Sequence, residues 1–389
     1  METQSTATVD SSVAKLFSPV QLGPYTLGHR VVMAPLTRMR TVHNNVPTDL
    51  MVEYYSQRAT KGGYIISEAT VVSPNGDGYL GAPAIYTDEQ VEGWKKVTSA
   101  VHAKGALMFL QLWHVGRQSH SSLQPDGGLP VGPSAIVHDD VAFTANGWVP
   151  VTQNRALEIE EIHALVEDFR QGAIRAKAAG FDGVELHGAN GYLVDQFLQD
   201  GSNQRTDEYG GSIENRVRFM MEVVDAMVSV WGEHRVGVRL GPSGTFGSMS
   251  DSNPEALFAY AAEQLNRYDL AYLHIIEPRI DGSILKEEGL QPVAAAQLRK
   301  IFKGTIIVAG GFDRASAEAI LEKGDADLVA FGRYFLANPD LVKRLKLDLP
   351  LNEYDRETFY GGDARGYSDY PFYSHEEAAE ANAALPAAV

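Results

Sequence analysis

The chain has 389 residues, 44% apolar and 21% charged, which is enough apolar material for a large core. A formal net charge of −17 repels phosphate backbones and argues against nucleic acid as a partner, while a local basic pocket for one phosphate stays compatible with it. The absence of cysteine excludes disulfides, thiolate metal sites, iron–sulfur clusters and cysteine nucleophiles together.

The first twelve residues are polar and lack the basic start and apolar centre of a signal peptide. No apolar run reaches the roughly 20 residues that a membrane helix needs, and no Asn-x-Ser/Thr sequon occurs. The expectation is a cytoplasmic protein without a membrane partner.

Eight short apolar runs follow in order, at residues 31–35, 64–70, 107–113, 183–187, 236–240, 271–277, 305–310 and 327–332. Each is the near-continuous Val/Ile/Leu type expected of strands buried on both faces of a parallel sheet. Helical patterns lie between them. Residues 88–103 start at Asp88 as a suggested N-cap, and residues 158–179 stop before Gly180. Residues 212–230 start at Ser212 with Glu214 in the first turn, and Asn253-Pro254 has the cap-then-Pro form of another helix start. Residues 315–323 and 339–344 complete the set. Eight alternations predict a (β/α)8 TIM barrel, with a doubly wound open sheet as the alternative. Two features favour the barrel: chemically capable residues sit at the C-terminal ends of the strands, and no G-x-G-x-x-G turn follows the first strand. Residues 1–16 read as a flexible N-terminal segment, 17–373 as one barrel, 116–154 as a Gly/Pro-rich excursion able to cover the mouth, and 374–389 as a tail.

In a barrel the strand ends converge on one mouth. Gly310-Gly311 and Gly332-Arg333 follow strands seven and eight, the usual place of a barrel phosphate site. Glycine lets the backbone approach a phosphate and Arg adds a charged fork; the plain alternative is a turn beside a surface Arg. Such a site without a Rossmann turn suggests a mononucleotide, and FMN fits, because Gln111 offers both a donor and an acceptor and Arg239 suits the charge that a flavin gains near N1 and O2. Equally, Gln111 can be a satisfied core amide, and Arg239 a structural ion pair with Glu68 or Glu185. No metal spacing of histidines and no carboxylate cluster is present at the strand ends, so no metal is expected.

Four motifs in order then identify the chain as similar to the old yellow enzyme family of FMN-dependent reductases, from about residue 17 to 373. They are Met33-Ala-Pro-Leu-Thr-Arg-Met-Arg40, Gln111-Leu-Trp-His-Val-Gly-Arg117, His187-Gly-Ala-Asn-Gly-Tyr-Leu193 with Asp195-Gln-Phe-Leu198, and Asn203-Gln-Arg-Thr-Asp-Glu-Tyr-Gly-Gly-Ser-Ile-Glu-Asn-Arg216. The resemblance implies that Thr37 bonds flavin O4, and that Pro35 and Ala69 contact the flavin through their backbones. It implies that Gln111 and Arg239 hold the pyrimidine, that Gly310, Gly311, Gly332 and Arg333 hold the phosphate, and that Phe359-Tyr360 packs near the dimethylbenzene edge. His187 and Asn190 would bind the substrate's oxygen, Tyr192 would protonate its α-carbon, and Trp113 would line the pocket. Many members carry His where this chain has Asn190; an amide is also a donor.

The implied activity is a ping-pong ene-reductase: NAD(P)H reduces FMN, and an α,β-unsaturated carbonyl or related activated alkene then takes the pocket, which also suits phenols. Alternatives on the same scaffold are a phenol- or steroid-binding flavoprotein sensor and a nitrate-ester or nitro reductase. A flavin-free barrel lyase would need a Schiff-base Lys or metal carboxylates at strand ends, whereas Lys286 falls in the loop after strand six. The sequence does not select NADH or NADPH, the natural substrate or the oligomeric state.

Overall fold

The eight apolar runs fold as eight strands: β1 Val31–Met33, β2 Tyr64–Ile66, β3 Leu107–Trp113, β4 Gly183–Gly188, β5 Val236–Leu240, β6 Tyr272–Ile276, β7 Ile306–Ala309 and β8 Leu328–Phe331. In the computed structural model, which describes residues 14–41, 43–278, 280–281, 284–285 and 294–374, each strand pairs in parallel with its neighbours in chain order. β8 pairs with β1, and β4 pairs with both β3 and β5, so the sheet closes into a (β/α)8 barrel rather than an open sheet. Residues 1–13 and 375–389, which take in most of both terminal segments set apart above, lie outside the described residues, as does Lys286.

Period-two alternation sorts each strand into an inner and an outer set. Val31, Met33, Ile65, Met108 and Leu110 pack outward in the large cluster shared with the helices. Val32, Ile66, Phe109, Tyr272, Ile307 and Leu328 point inward and fill the lower barrel. Leu22 and Leu27, from a hairpin of Val20–Leu22 and Tyr25–Leu27, join this inner cluster and close the barrel's lower end. Two inward positions are glycine for a steric reason. A Cβ on Gly183 would lie 2.4 Å from the Phe109 ring, and one on Gly237 would lie 2.3 Å from the Tyr272 ring. Higher in the barrel the inward residues become polar, with Gln111, Glu185, His187, Arg239 and His274.

The helix Asp88–Ala103 is capped by Thr87 rather than Asp88: the Thr87 hydroxyl accepts from the Gln90 amide, and Gln90 answers in a capping box. Asp88 sits one residue inside, where its carboxylate meets the helix dipole. Ser212 and Asn253 cap Ile213–Trp231 and Pro254–Leu265, as their positions suggest. The helix Asp49–Arg58 buries a stripe at helical spacing, Met51, Tyr54, Tyr55 and Arg58, that is aromatic and charged rather than aliphatic. Within the 116–154 excursion, Val141–Thr144 and Gly147–Pro150 form an antiparallel hairpin. No helix among the described residues is long and apolar enough to cross a membrane.

Candidate active site

A cavity of about 470 Å³ opens at the C-terminal ends of the strands, a volume in the range of small-ligand sites. Pro35 and Thr37 after β1, Gln111 in β3, His187 in β4, Asn190 and Tyr192 beyond it, and Arg239 in β5 line it. Gly310 and Gly311 after β7, Gly332 and Arg333 after β8, and Tyr360 do so too. Trp113 and Ala69 stand apart from that lining. Neither lines the cavity; both are buried with Tyr79, whose ring stacks on Trp113 at 5.7 Å and 11°. The Tyr79 ring itself lines the cavity.

The end of β4 is a pinned turn. Asn190 adopts φ 56°, which Asn tolerates better than most residues, and Gly191 follows at φ 71°. A Cβ on Gly191 would fall 2.6 Å from the Phe246 carbonyl oxygen, so both space and φ require glycine. The Gly191 amide donates to Asp195 at 2.9 Å and its carbonyl accepts from Gln196 at 2.7 Å. Gln196 also donates to the Val115 carbonyl, tying the turn to the end of β3.

His187 Nδ1 accepts from the Ala189 amide at 3.3 Å, which leaves the ring proton on Nε2. Burial, with the Arg239 charge beside it, holds this imidazole well below its usual range, so it is a neutral donor. The Tyr192 ring meets Trp113 edge-on at 4.9 Å and His187 at 5.1 Å, and its hydroxyl donates to Tyr79 at 3.3 Å. Burial and the neighbouring Tyr79 push the Tyr192 phenol well above its usual range, so it carries its proton. Tyr79 was not legible as a site residue. It follows an aperiodic Asn-Gly-Asp-Gly turn, and half-buried Asp77 orients it by accepting from the Tyr79 amide at 3.1 Å.

On the β3–β6 side, Gln111 donates to Glu185 at 2.6 Å, and Arg239 Nε is buried with no hydrogen-bond partner. Glu68, one of the two suggested partners of Arg239, instead accepts from the Arg38 amide and from Tyr55. An orphaned, buried guanidinium donor is costly unless a ligand accepts from it. Gly310 stands at φ 141°, where a Cβ would press 2.9 Å against Glu277, and Gly311 follows at φ 68°. Together these features fit FMN: a donor pair for the pyrimidine and a bare backbone with Arg333 for the phosphate. Arg38 and Arg40 serve differently. They donate to the carbonyls of Thr358 and Phe359, and Arg38 also to that of Gly366, so the first-strand motif fixes the segment that presents Tyr360. No group of three or more His, Asp or Glu placed to hold a metal occurs among the described residues.

Asp195 offers a stability test of the pinned turn. Burial raises its carboxyl from 3.8 to about 7, so the folded chain keeps a proton that the unfolded chain releases. Its stabilising contribution is therefore present below pH 4 or so and lost as the pH rises towards 7. Asp195→Asn keeps an acceptor for the Gly191 amide, and its stability relative to the native protein should climb across that window and then level off. Denaturant unfolding at several pH values checks this; a difference independent of pH would contradict it.

The family model described as NADH:flavin oxidoreductase / NADH oxidase family matches residues 15–352. The chain is 50% identical to 12-oxophytodienoate reductase 1 of Oryza sativa subsp. japonica over 364 residues, 92% of this chain and 93% of that protein. It is 48% identical to 12-oxophytodienoate reductase 2 of Arabidopsis thaliana over 361 residues, 92% of this chain and 95% of that protein. Among solved structures, morphinone reductase in complex with tetrahydroNAD matches with a TM-score of 0.86 and 51% identity, covering 93% of this chain and 98% of that one.

Proposed function

We infer the reaction from one premise: the chain belongs to the NADH:flavin oxidoreductase / NADH oxidase family. It is an FMN-dependent oxidoreductase that uses NAD(P)H to reduce the C=C bond of activated alkenes. The observation that carries the assignment of residues is the convergence of a neutral His187, the Asn190 amide and a protonated Tyr192 on one cavity.

FMN, when bound, would supply the hydride relay between NAD(P)H and the electron-poor alkene carbon. Gln111 and Arg239 would hold its pyrimidine edge, Thr37 its O4, and Gly310, Gly311, Gly332 and Arg333 its phosphate. Pro35 and Ala69 would contact it through their backbones, and Tyr360 through its ring. His187 Nε2–H and the Asn190 amide bind the carbonyl oxygen of the alkene. Their hydrogen bonds strengthen as negative charge moves onto that oxygen, so they favour the transition state over the ground state. Tyr192 gives its phenolic proton to the α-carbon, and the product has gained one hydride and one proton across the double bond. The same donors suit phenolic ligands, whose oxygen resembles the charged carbonyl.

The rim selects for flat apolar substrates. Trp148 of the hairpin packs 5.7 Å from Tyr360, 6.1 Å from Tyr79 and 5.0 Å from Phe143, and it lines the cavity while remaining 47% exposed. An α,β-unsaturated ketone on an apolar ring or chain is the substrate class this supports. The test is spectroscopic. The purified protein should show flavin absorption, bleach with NAD(P)H in the absence of oxygen, and recover on addition of cyclohexenone. Bleaching without recovery would count against alkene reduction, and a colourless protein that takes up no FMN would remove the occupant assigned to the cavity.

A further inference from the structure

We propose that Glu185 is a buried counter-charge that sets the reduction potential of the bound FMN, offsetting Arg239 while it orients Gln111. This rests on the reading that Gln111 and Arg239 face the flavin's pyrimidine edge.

Glu185 points inward from β4 and is fully buried, with Gln111 of β3 and Gly237 of β5 as its register partners. Three donors converge on its carboxylate. Gln111 Nε2 reaches one oxygen at 2.6 Å, His274 Nδ1 reaches the other at 2.9 Å, and the Tyr272 hydroxyl completes the set. Tyr272 is itself held by a hydrogen bond from Tyr64 at 2.9 Å, and its ring fits only because residue 237 is glycine. A site built wholly of donors is a site for a carboxylate, which only accepts.

The cluster has a definite charge count. His274 is buried, Nδ1 donates to Glu185, and Nε2 has no partner, so its ring is neutral. One negative charge, Glu185, therefore faces one positive charge, Arg239, whose register partners are His187 and His274. The two attract, yet Arg239 Nε remains without a hydrogen bond. Gln111, His274 and Tyr272 take three of the carboxylate's roughly four acceptor positions, and Arg239 Nε keeps its donor for a ligand. A flavin gains negative charge at this edge when reduced, and Arg239 favours that state while Glu185 opposes it. The pair thus permits a cation in a buried site without driving the potential so high that the alkene is no longer reduced.

The test is an anaerobic redox titration of the FMN-loaded protein against a reference dye. Glu185→Gln removes the charge and keeps an acceptor for Gln111, and His274 can move its proton to Nε2. The midpoint should rise at least tenfold in the ratio of reduced to oxidised flavin, about 30 mV for a two-electron couple. Tyr272→Phe removes a neutral donor and leaves the charge, so its midpoint should stay at the native value. Arg239→Gln separates the proposal from its premise. If it lowers the midpoint while Glu185→Gln leaves it unmoved, the Glu185 role is wrong; if neither moves it, the placement of Arg239 at the flavin is wrong. An equal shift in Tyr272→Phe would assign the effect to loosened packing and overturn the proposal. Glu185→Met provides a second charge removal of similar volume, and loss of FMN from both Glu185 variants with the fold intact would make the residue structural and overturn it as well.

Discussion

Tyr192→Phe is expected to slow alkene reduction by about 10²–10⁴-fold, the usual range for a positioned general acid, while flavin reduction by NAD(P)H proceeds near the native rate. The asymmetry follows from where the proton is needed. Hydride transfer from the nicotinamide to the flavin asks nothing of a phenol on the substrate's α-carbon, whereas completing the alkane requires that proton. The substitution removes only an oxygen. The ring keeps its edge-on contacts with Trp113 and His187, so the cavity wall should stand. Tyr79 loses its hydrogen bond from Tyr192 and becomes the nearest remaining phenol to the gap. Stopped-flow measurement of the two half-reactions separates them, and equal slowing of both would remove the proton-donor role. A nitroalkene, whose hydride adduct is stable enough to leave and be protonated by water, should lose less than an enone.

The barrel was legible because its strands are buried on both faces and therefore spell continuous apolar runs, as in Leu107–Trp113 and Val236–Leu240. The strand ends were read too long where polar chemistry begins. β1 stops at Met33, and the chain beyond it turns into the cavity wall at Pro35 and Thr37. His187 in β4 and the glycine and tyrosine after it could be recognised because the motif's order is specific. Residues brought in by loops could not. Tyr79 and Tyr354 line the cavity from aperiodic segments, and Trp148 from a short hairpin outside the barrel, whose positions depend on packing far along the chain. Trp113 shows the limit from the other side: alternation along β3 puts Gln111 and Trp113 on the same inner face, but nothing local shows that the Tyr79 ring will cover one of them. The Arg38–Arg40 motif was similarly visible without its purpose, because its partners are carbonyls more than 300 residues away.

His187→Ala is expected to weaken the binding of a phenol by about 10–100-fold, the loss that accompanies a hydrogen bond to a charged group, and to slow alkene reduction by about 10²–10³-fold, as when one donor to a developing oxyanion is removed. The two figures differ because the phenol reports binding to a charge already present, whereas turnover reports the extra binding as charge develops. Asn190 remains, so neither function should vanish. His187→Asn restores an N–H donor on a shorter side chain and should recover part of both. The neutral state of His187 makes the prediction sharper. Burial and Arg239 hold its imidazole well below the usual range, so the donor is present in one form across neutral pH, and the loss on substitution should be the same at pH 6 and pH 8. A native phenol affinity that falls as His187 is titrated near neutrality would show a charged imidazole and a different electrostatic balance with Arg239. An unchanged phenol dissociation constant in His187→Ala, with FMN retained, would move the oxygen site away from the end of β4 altogether.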